Sequence, residues 1–143
     1  MNPSHQLIKG EIFKDNRGLL SSINDFDLSP IVRFYEIAPK DSTIVRAWQA
    51  HKKESKWFYC SKGAFQIKLI RIDDFDAPSD ELKIETIYLN EGDPHILHVP
   101  GGYANGFKSE AKDSKLVVFS DYGLEASKDD DYRYDHNQWI TKW

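Results

Sequence analysis

Residues 64–72 read AFQIKLIRI. Phe65, Ile67 and Leu69 alternate with Gln66 and Lys68, the period of two that a half-buried β-strand requires. Immediately before it, Ser61-Lys62-Gly63 supplies a turn, and before that turn residues 56–60 (KWFYC) form a second aromatic-rich run. Working outward, residues 31–37 (IVRFYEI), 82–89 (LKIETIYL), 95–99 (HILHV) and 115–121 (KLVVFSD) repeat the pattern of short β-branched and aromatic segments. Turn formers separate them: Pro39-Lys40-Asp41, residues 76–80, residues 91–94 and Pro100-Gly101-Gly102. Many short strands at such spacing predict an all-β, antiparallel sandwich or barrel. Helical character is confined to one turn within residues 123–131, and Asp129-Asp130-Asp131 reads as a solvated loop. With no repeat and no linker, residues 1–143 are expected to form a single domain.

Size and charge narrow the function classes. A chain of 143 residues with 40% hydrophobic and 13% aromatic content is large enough to bury a core. The net charge of −4 gives no global attraction to nucleic acid, although a local basic pocket for a phosphate stays open. One cysteine, Cys60, makes no internal disulfide and reads as a small core residue. The N-terminus lacks the basic-then-apolar pattern of a signal peptide, and no apolar run reaches the roughly 18–20 residues that span a bilayer. A cytoplasmic location, away from membranes, is the expectation.

Two stretches resemble the paired motifs of the cupin superfamily, whose fold is a jelly-roll barrel, the double-stranded β-helix. Residues 46–63 (RAWQAHKKESKWFYCSKG) are similar to G-x5-H-x-H-x3,4-E-x6-G, and residues 92–107 (GDPHILHVPGGYANGF) to G-x5-P-x-G-x2-H-x3-N. Metal-binding cupins place three His and a Glu in these motifs. The matching positions here are Gln49, His51, Lys56 and Asn105. Only His51 is a good transition-metal ligand, and Lys56 would set an ammonium where the cation belongs. The expectation is therefore a cupin without metal or other cofactor, with a metal-dependent oxygenase as the disfavoured alternative.

If residues 47–51 form a regular strand, Gln49 and His51 share a face with Ala47. Arg46 then points the other way, unless a bulge turns it inward. Polar groups gathered in one cavity suit a substrate with several oxygens and a labile proton.

The order of motifs resembles the dTDP-4-dehydrorhamnose 3,5-epimerase family and the related nucleotide-sugar 3,4-ketoisomerases. Asp15-Asn16-Arg17-Gly18 is similar to the epimerases' D-x-R-G, which implies that Arg17 holds nucleotide phosphates, including across a dimer interface. Residues 46–52 are similar to R-G-x-H in epimerases and to R-G-x-H-A-H-K in ketoisomerases. Lys56 falls where epimerases carry a lysine, and residues 100–107 (PGGYANGF) resemble P-x-G-[FY]-A-H-G-F. The departures are Gln49 for the epimerase base, Asn105 for a His, and Phe119 for a Tyr, with Tyr122 the nearest phenol.

The resemblance implies a homodimer acting on a dTDP-4-keto-6-deoxyhexose in surface-polysaccharide synthesis, by proton removal next to the ketone. In this reading His51 is the base, Lys56 and the donor Gln49 stabilise the enolate oxygen, and Tyr122 returns a proton. Arg17, Arg46, Gln49 and Asn105 bind substrate. The 3,5-epimerase layout is narrowly favoured over the 3,4-ketoisomerase; a non-catalytic binder of nucleotide sugars is the second class. Trp48, Trp57 and Phe58 are expected in the core, His95 and His98 in structural or rim positions, and Gly101-Gly102 in a turn.

Overall fold

The computed structural model describes residues 3–143. Among these described residues twelve strands run in chain order: β1 (Gln6–Lys9), β2 (Glu11–Asp15), β3 (Gly18–Ser22), β4 (Arg33–Ile37), β5 (Val45–His51), β6 (Lys56–Lys62), β7 (Ala64–Arg71), β8 (Ile84–Asn90), β9 (His95–Val99), β10 (Tyr103–Ser109), β11 (Lys115–Ser120) and β12 (Tyr132–Arg133). One short helix, α1 (Leu124–Lys128), precedes β12, within the stretch expected to carry a helical turn. All of the pairings are antiparallel. One sheet has the order β1-β9-β6-β11-β4, the other β12-β5-β10-β7-β8, and β2-β3 stands apart as a hairpin. This is the jelly-roll barrel expected from the sequence.

Alternation places one row of each strand between the sheets. Phe58 and Cys60 from β6, Phe65, Ile67 and Leu69 from β7, Leu97 and Val99 from β9, and Leu116 and Val118 from β11 form the inner core. At the turn into β7, Gly63 has φ +74, a left-handed backbone that side chains disfavour. On the outer face of the first sheet a cross-strand row runs Phe34, Phe119, Trp57, His98. Trp57 stacks on His98 at 4.4 Å, and Phe26 leans on Trp57 and Phe119. On the outer face of the second sheet, Trp48 and Ala50 meet Trp139, Tyr134 and Trp143, so residues 132–143 wrap over β5. Among the described residues no helix is long and apolar enough to cross a membrane.

The register of β5 against β10 decides what faces the interior. Asn105 opposes Gln49, yet the next residue, Gly106, opposes Ala47. Trp48 is thus an extra residue on β5, a bulge. The bulge returns Arg46 to the inner face opposite Phe107, the exception the sequence reading had allowed, while Ala47 and Trp48 both face outward. Ala47 therefore does not share the face of Gln49 and His51.

Candidate active site

A cavity of about 940 Å3 opens between β4, β5, β6 and β10 and is roofed by residues 124–134. Its wall carries the cations Arg33, Arg46, Lys56, Lys128 and Arg133 against the carboxylates Glu36 and Asp131. That excess of positive charge favours an anionic guest.

Gln49 lies at the centre of a hydrogen-bonded chain. Lys56 Nζ donates to Gln49 Oε1 at 3.1 Å, Gln49 Nε2 donates to Asp131 Oδ1 at 3.1 Å, and Arg133 Nε donates to the same oxygen at 2.9 Å. Burial alone would raise the Asp131 carboxyl, but bonds from Arg133 and Gln49 outweigh it and hold the group below the usual carboxylate range. Both ends of the Gln49 amide are engaged by protein, so Gln49 orients Lys56, while the second N–H of its NH2 group is not used by either bond. Lys56 is buried, with its ammonium 5.8 Å from the centre of the Tyr35 ring, over which Arg33 also sits at 5.2 Å. Asn105, buried opposite Gln49, completes this floor.

His51 follows Gln49 by two positions on the same inner face, just beyond the residues that line the cavity, and is 3% exposed. Its Nδ1 lies 2.6 Å from the main-chain oxygen of Asp130. A carbonyl only accepts, so the ring proton sits on Nδ1 and the lone pair on Nε2. Nε2 is buried and has no hydrogen-bond partner among the described residues. Burial, followed by the Lys56 ammonium, holds the imidazole below its ordinary pKa, while the Asp130 carbonyl and the Glu54 carboxylate pull the other way. The lowered pKa favours the neutral imidazole at neutral pH, and its buried, unshared Nε2 lone pair is a Brønsted base.

The sequence reading missed what holds that ring. Asp130 is buried, not solvated: its carboxylate accepts from the main-chain N–H groups of Lys52 and Lys53 at 2.9 Å and of Glu54 at 2.8 Å. It thereby folds the β5–β6 turn around itself. Glu54 is 1% exposed and accepts from Ser120 Oγ and Ser127 Oγ, each at 2.6 Å. The missed cavity residues Arg33, Tyr35, Asp131 and Arg133 come from an edge strand and the C-terminal segment, which carry no motif.

Three other expected positions lie elsewhere. Arg17 sits at the tip of the β2–β3 hairpin with its side chain 83% exposed, bound to Asp15 at 2.7 Å and not lining the cavity of its own chain. Tyr122 is not among the lining residues; its main-chain oxygen accepts from Arg33 Nε at 3.1 Å. Phe119 faces the outer side of its sheet, so no phenol at that position would reach the cavity. Among the described residues, no three His, Cys, Asp or Glu side chains stand together as a metal ion would need.

Three comparisons bear on this geometry. A family model described as "FdtA: WxcM-like, C-terminal" matches residues 3–143. The "Probable low-salt glycan biosynthesis epimerase Agl13" of Haloferax volcanii is 22% identical over 114 residues, 76% of this chain and 70% of that protein. Among solved structures, QdtA, a sugar 3,4-ketoisomerase from Thermoanaerobacterium thermosaccharolyticum in complex with TDP, superposes with TM-score 0.71 and 24% identity over 96% of this chain and 93% of that one. ChmJ, a 3'-monoepimerase from Streptomyces bikiniensis, superposes with TM-score 0.79 and 14% identity over 99% of this chain and 78% of that one.

Proposed function

The chain belongs to the FdtA, WxcM-like C-terminal family, and from that premise we propose that it isomerises a nucleotide-linked 4-keto-6-deoxyhexose for glycan synthesis. The observation that carries the reading is the neutral imidazole of His51, its Nε2 unpartnered and the Lys56 ammonium close enough to lower its basicity. An enolate mechanism needs this pairing: a base for the carbon-bound proton and a cation for the oxygen that becomes negative.

In the proposed reaction, substrate draws Lys56 from Gln49 Oε1 onto the ketone oxygen at C4, which opens the route to His51. Nε2 removes the proton from C3, and the electron pair of that bond forms the C3=C4 double bond with negative charge on O4. The proton of the C3 hydroxyl then passes to O4 and a proton is delivered to C4, which leaves the ketone at C3 and a hydroxyl at C4. Tyr35, whose ring lines the cavity beside Lys56, takes the proton-returning role that the sequence had suggested for Tyr122. Arg46 and Asn105 bind the sugar, and the remaining wall cations bind phosphate. Gln49 at the epimerase base position, with the second His of the ketoisomerase-like R-G-x-H-A-H-K kept as His51, favours 3,4-ketoisomerisation over 3,5-epimerisation.

The protein works as a homodimer in this reading. The β2–β3 hairpin exposes Phe13 and Leu20 on one face and Ile12 and Leu19 on the other, apolar surface suited to a second copy, and Arg17 at its tip would reach the neighbour's phosphate site. A cytoplasmic setting agrees with Cys60 as a buried free thiol.

Incubation with a dTDP-4-keto-6-deoxyglucose in deuterated water tests the reaction. Deuterium at the reacting C3–C4 pair with a 3-keto product is expected. Exchange at C3 and C5 would instead mark an epimerase, and tight binding without exchange would mark a non-catalytic binder.

A further inference from the structure

The carboxylate of Glu54 takes no part in the proton transfers between C3 and C4, yet it is enclosed on every side. Oε2 accepts from Ser120 Oγ at 2.6 Å and lies 3.3 Å from Arg33 Nη2. Oε1 accepts from Ser127 Oγ at 2.6 Å and lies 3.5 Å from His51 Nδ1. Donors from β4, β11 and α1 thus converge on one acid in the β5–β6 turn. Burial of a carboxylate is costly unless it is paired, and the Arg33 guanidinium pairs with Oε2 only. The other oxygen is aimed at the imidazole.

The chemistry supplies a reason. When Nε2 takes a proton, the ring becomes an imidazolium beside the Lys56 ammonium, out of solvent. Two neighbouring cations in such a place repel each other, and the base fails unless an anion stands on the far side of the ring. The other charged groups around His51 are Asp130, which presents its main-chain oxygen to the ring and its carboxylate to main-chain N–H groups, Asp121 after β11, and Asp131 across Gln49. Glu54 is the one whose carboxylate lies within ion-pair distance of the ring among the described residues.

We infer that Glu54 is the positioning residue and counter-charge of His51, facing Nδ1 and stabilising the imidazolium formed when Nε2 accepts a proton. Its part in turnover rests on the isomerase reading; its coupling to the ring does not. Ser127 extends the arrangement into the cavity roof, since the hydroxyl that holds Glu54 belongs to α1.

The test is nitrogen-15 NMR titration of the imidazoles in the wild type, Glu54→Gln and Glu54→Asp, together with deuterium exchange into the 4-keto sugar nucleotide. In Glu54→Gln the His51 titration is expected at lower pH, with the Nδ1-protonated tautomer retained by the Asp130 carbonyl. Exchange should fall about a hundredfold, on the scale of acid–base contributions, with the KM for the nucleotide sugar nearly unchanged. Glu54→Asp should recover part of both. A folded Glu54→Gln protein whose His51 titrates as in the wild type overturns the inference. If that variant does not fold, Ser127→Ala decides: with a hydroxyl removed from Oε1, the His51 titration should move to higher pH, and no movement overturns the inference. Wild-type protein that shows no exchange, while Glu54→Gln shifts the titration, refutes the isomerase reading alone.

Discussion

His51 and Asp130 are joined through a ring nitrogen and a main-chain oxygen 2.6 Å apart, so the backbone near the C-terminus fixes the tautomer of the base. The carboxylate of the same aspartate holds the turn that follows the histidine. One residue thus sets both the orientation of the imidazole and the path of the chain leaving it.

Asp130→Ala should destabilise the protein by about 2–4 kcal/mol, because three main-chain donors lose a charged acceptor in a buried turn. Urea unfolding with an unchanged slope measures this directly; a loss under 0.5 kcal/mol, on the order of a surface substitution, would contradict the role.

His51→Asn should abolish deuterium exchange while leaving the circular dichroism spectrum intact. Retention of most of the activity would remove His51 as the base.

Stability should fall in acid. Burial holds His51 and His98 below the unfolded histidine value of about 6.5, so the native protein binds fewer protons than the unfolded chain below that pH. Their contribution is complete above pH 6.5 and declines as pH drops from there towards the folded values. Thermal melts between pH 7.5 and 5 should show the decline, and His98→Gln should flatten it.

Gly106→Val should cost about 1–3 kcal/mol by overpacking. A Cβ at this position would stand 2.9 Å from the Ala47 Cβ and 2.9 Å from the Trp143 ring. Chemical denaturation together with quenching of tryptophan fluorescence would report the loss of the packed Trp143.

Arg17→Ala should weaken nucleotide-sugar binding by about 1–3 kcal/mol, the scale of a charge-assisted hydrogen bond, if the hairpin serves a neighbour's cavity. Calorimetry on the variant, with sedimentation of variant and wild type to compare their association states, checks it; unchanged affinity assigns the phosphate to the wall cations alone.

The barrel was legible because its signal is local: alternation in residues 64–72, and turns every few residues, follow from side-chain geometry in a pleated strand. Strands β1 to β3 escaped notice, since the hairpin Glu11–Ser22 exposes Phe13, Leu19 and Leu20 and shows no inward apolar row. His51 and Lys56 could be read from motif spacing. Glu54 could be suspected only from its place three residues after the histidine, while Asp130 and Asp131 look like any acidic loop until the chain is folded back on β5. Long-range partners separated by 79 positions leave no trace in local pattern.

The doubled residue at Trp48 has a practical consequence for anyone choosing positions to vary. Counting alternate residues back from His51 gives the right parity only as far as Gln49; beyond it, the count lands on Ala47 and misses Arg46. Gapped by one place, the same ribbon shows the guest a guanidinium and gives the tail an indole to grip. A library or an alignment that omits this single-residue offset would alter the scaffold while believing that it tuned the pocket.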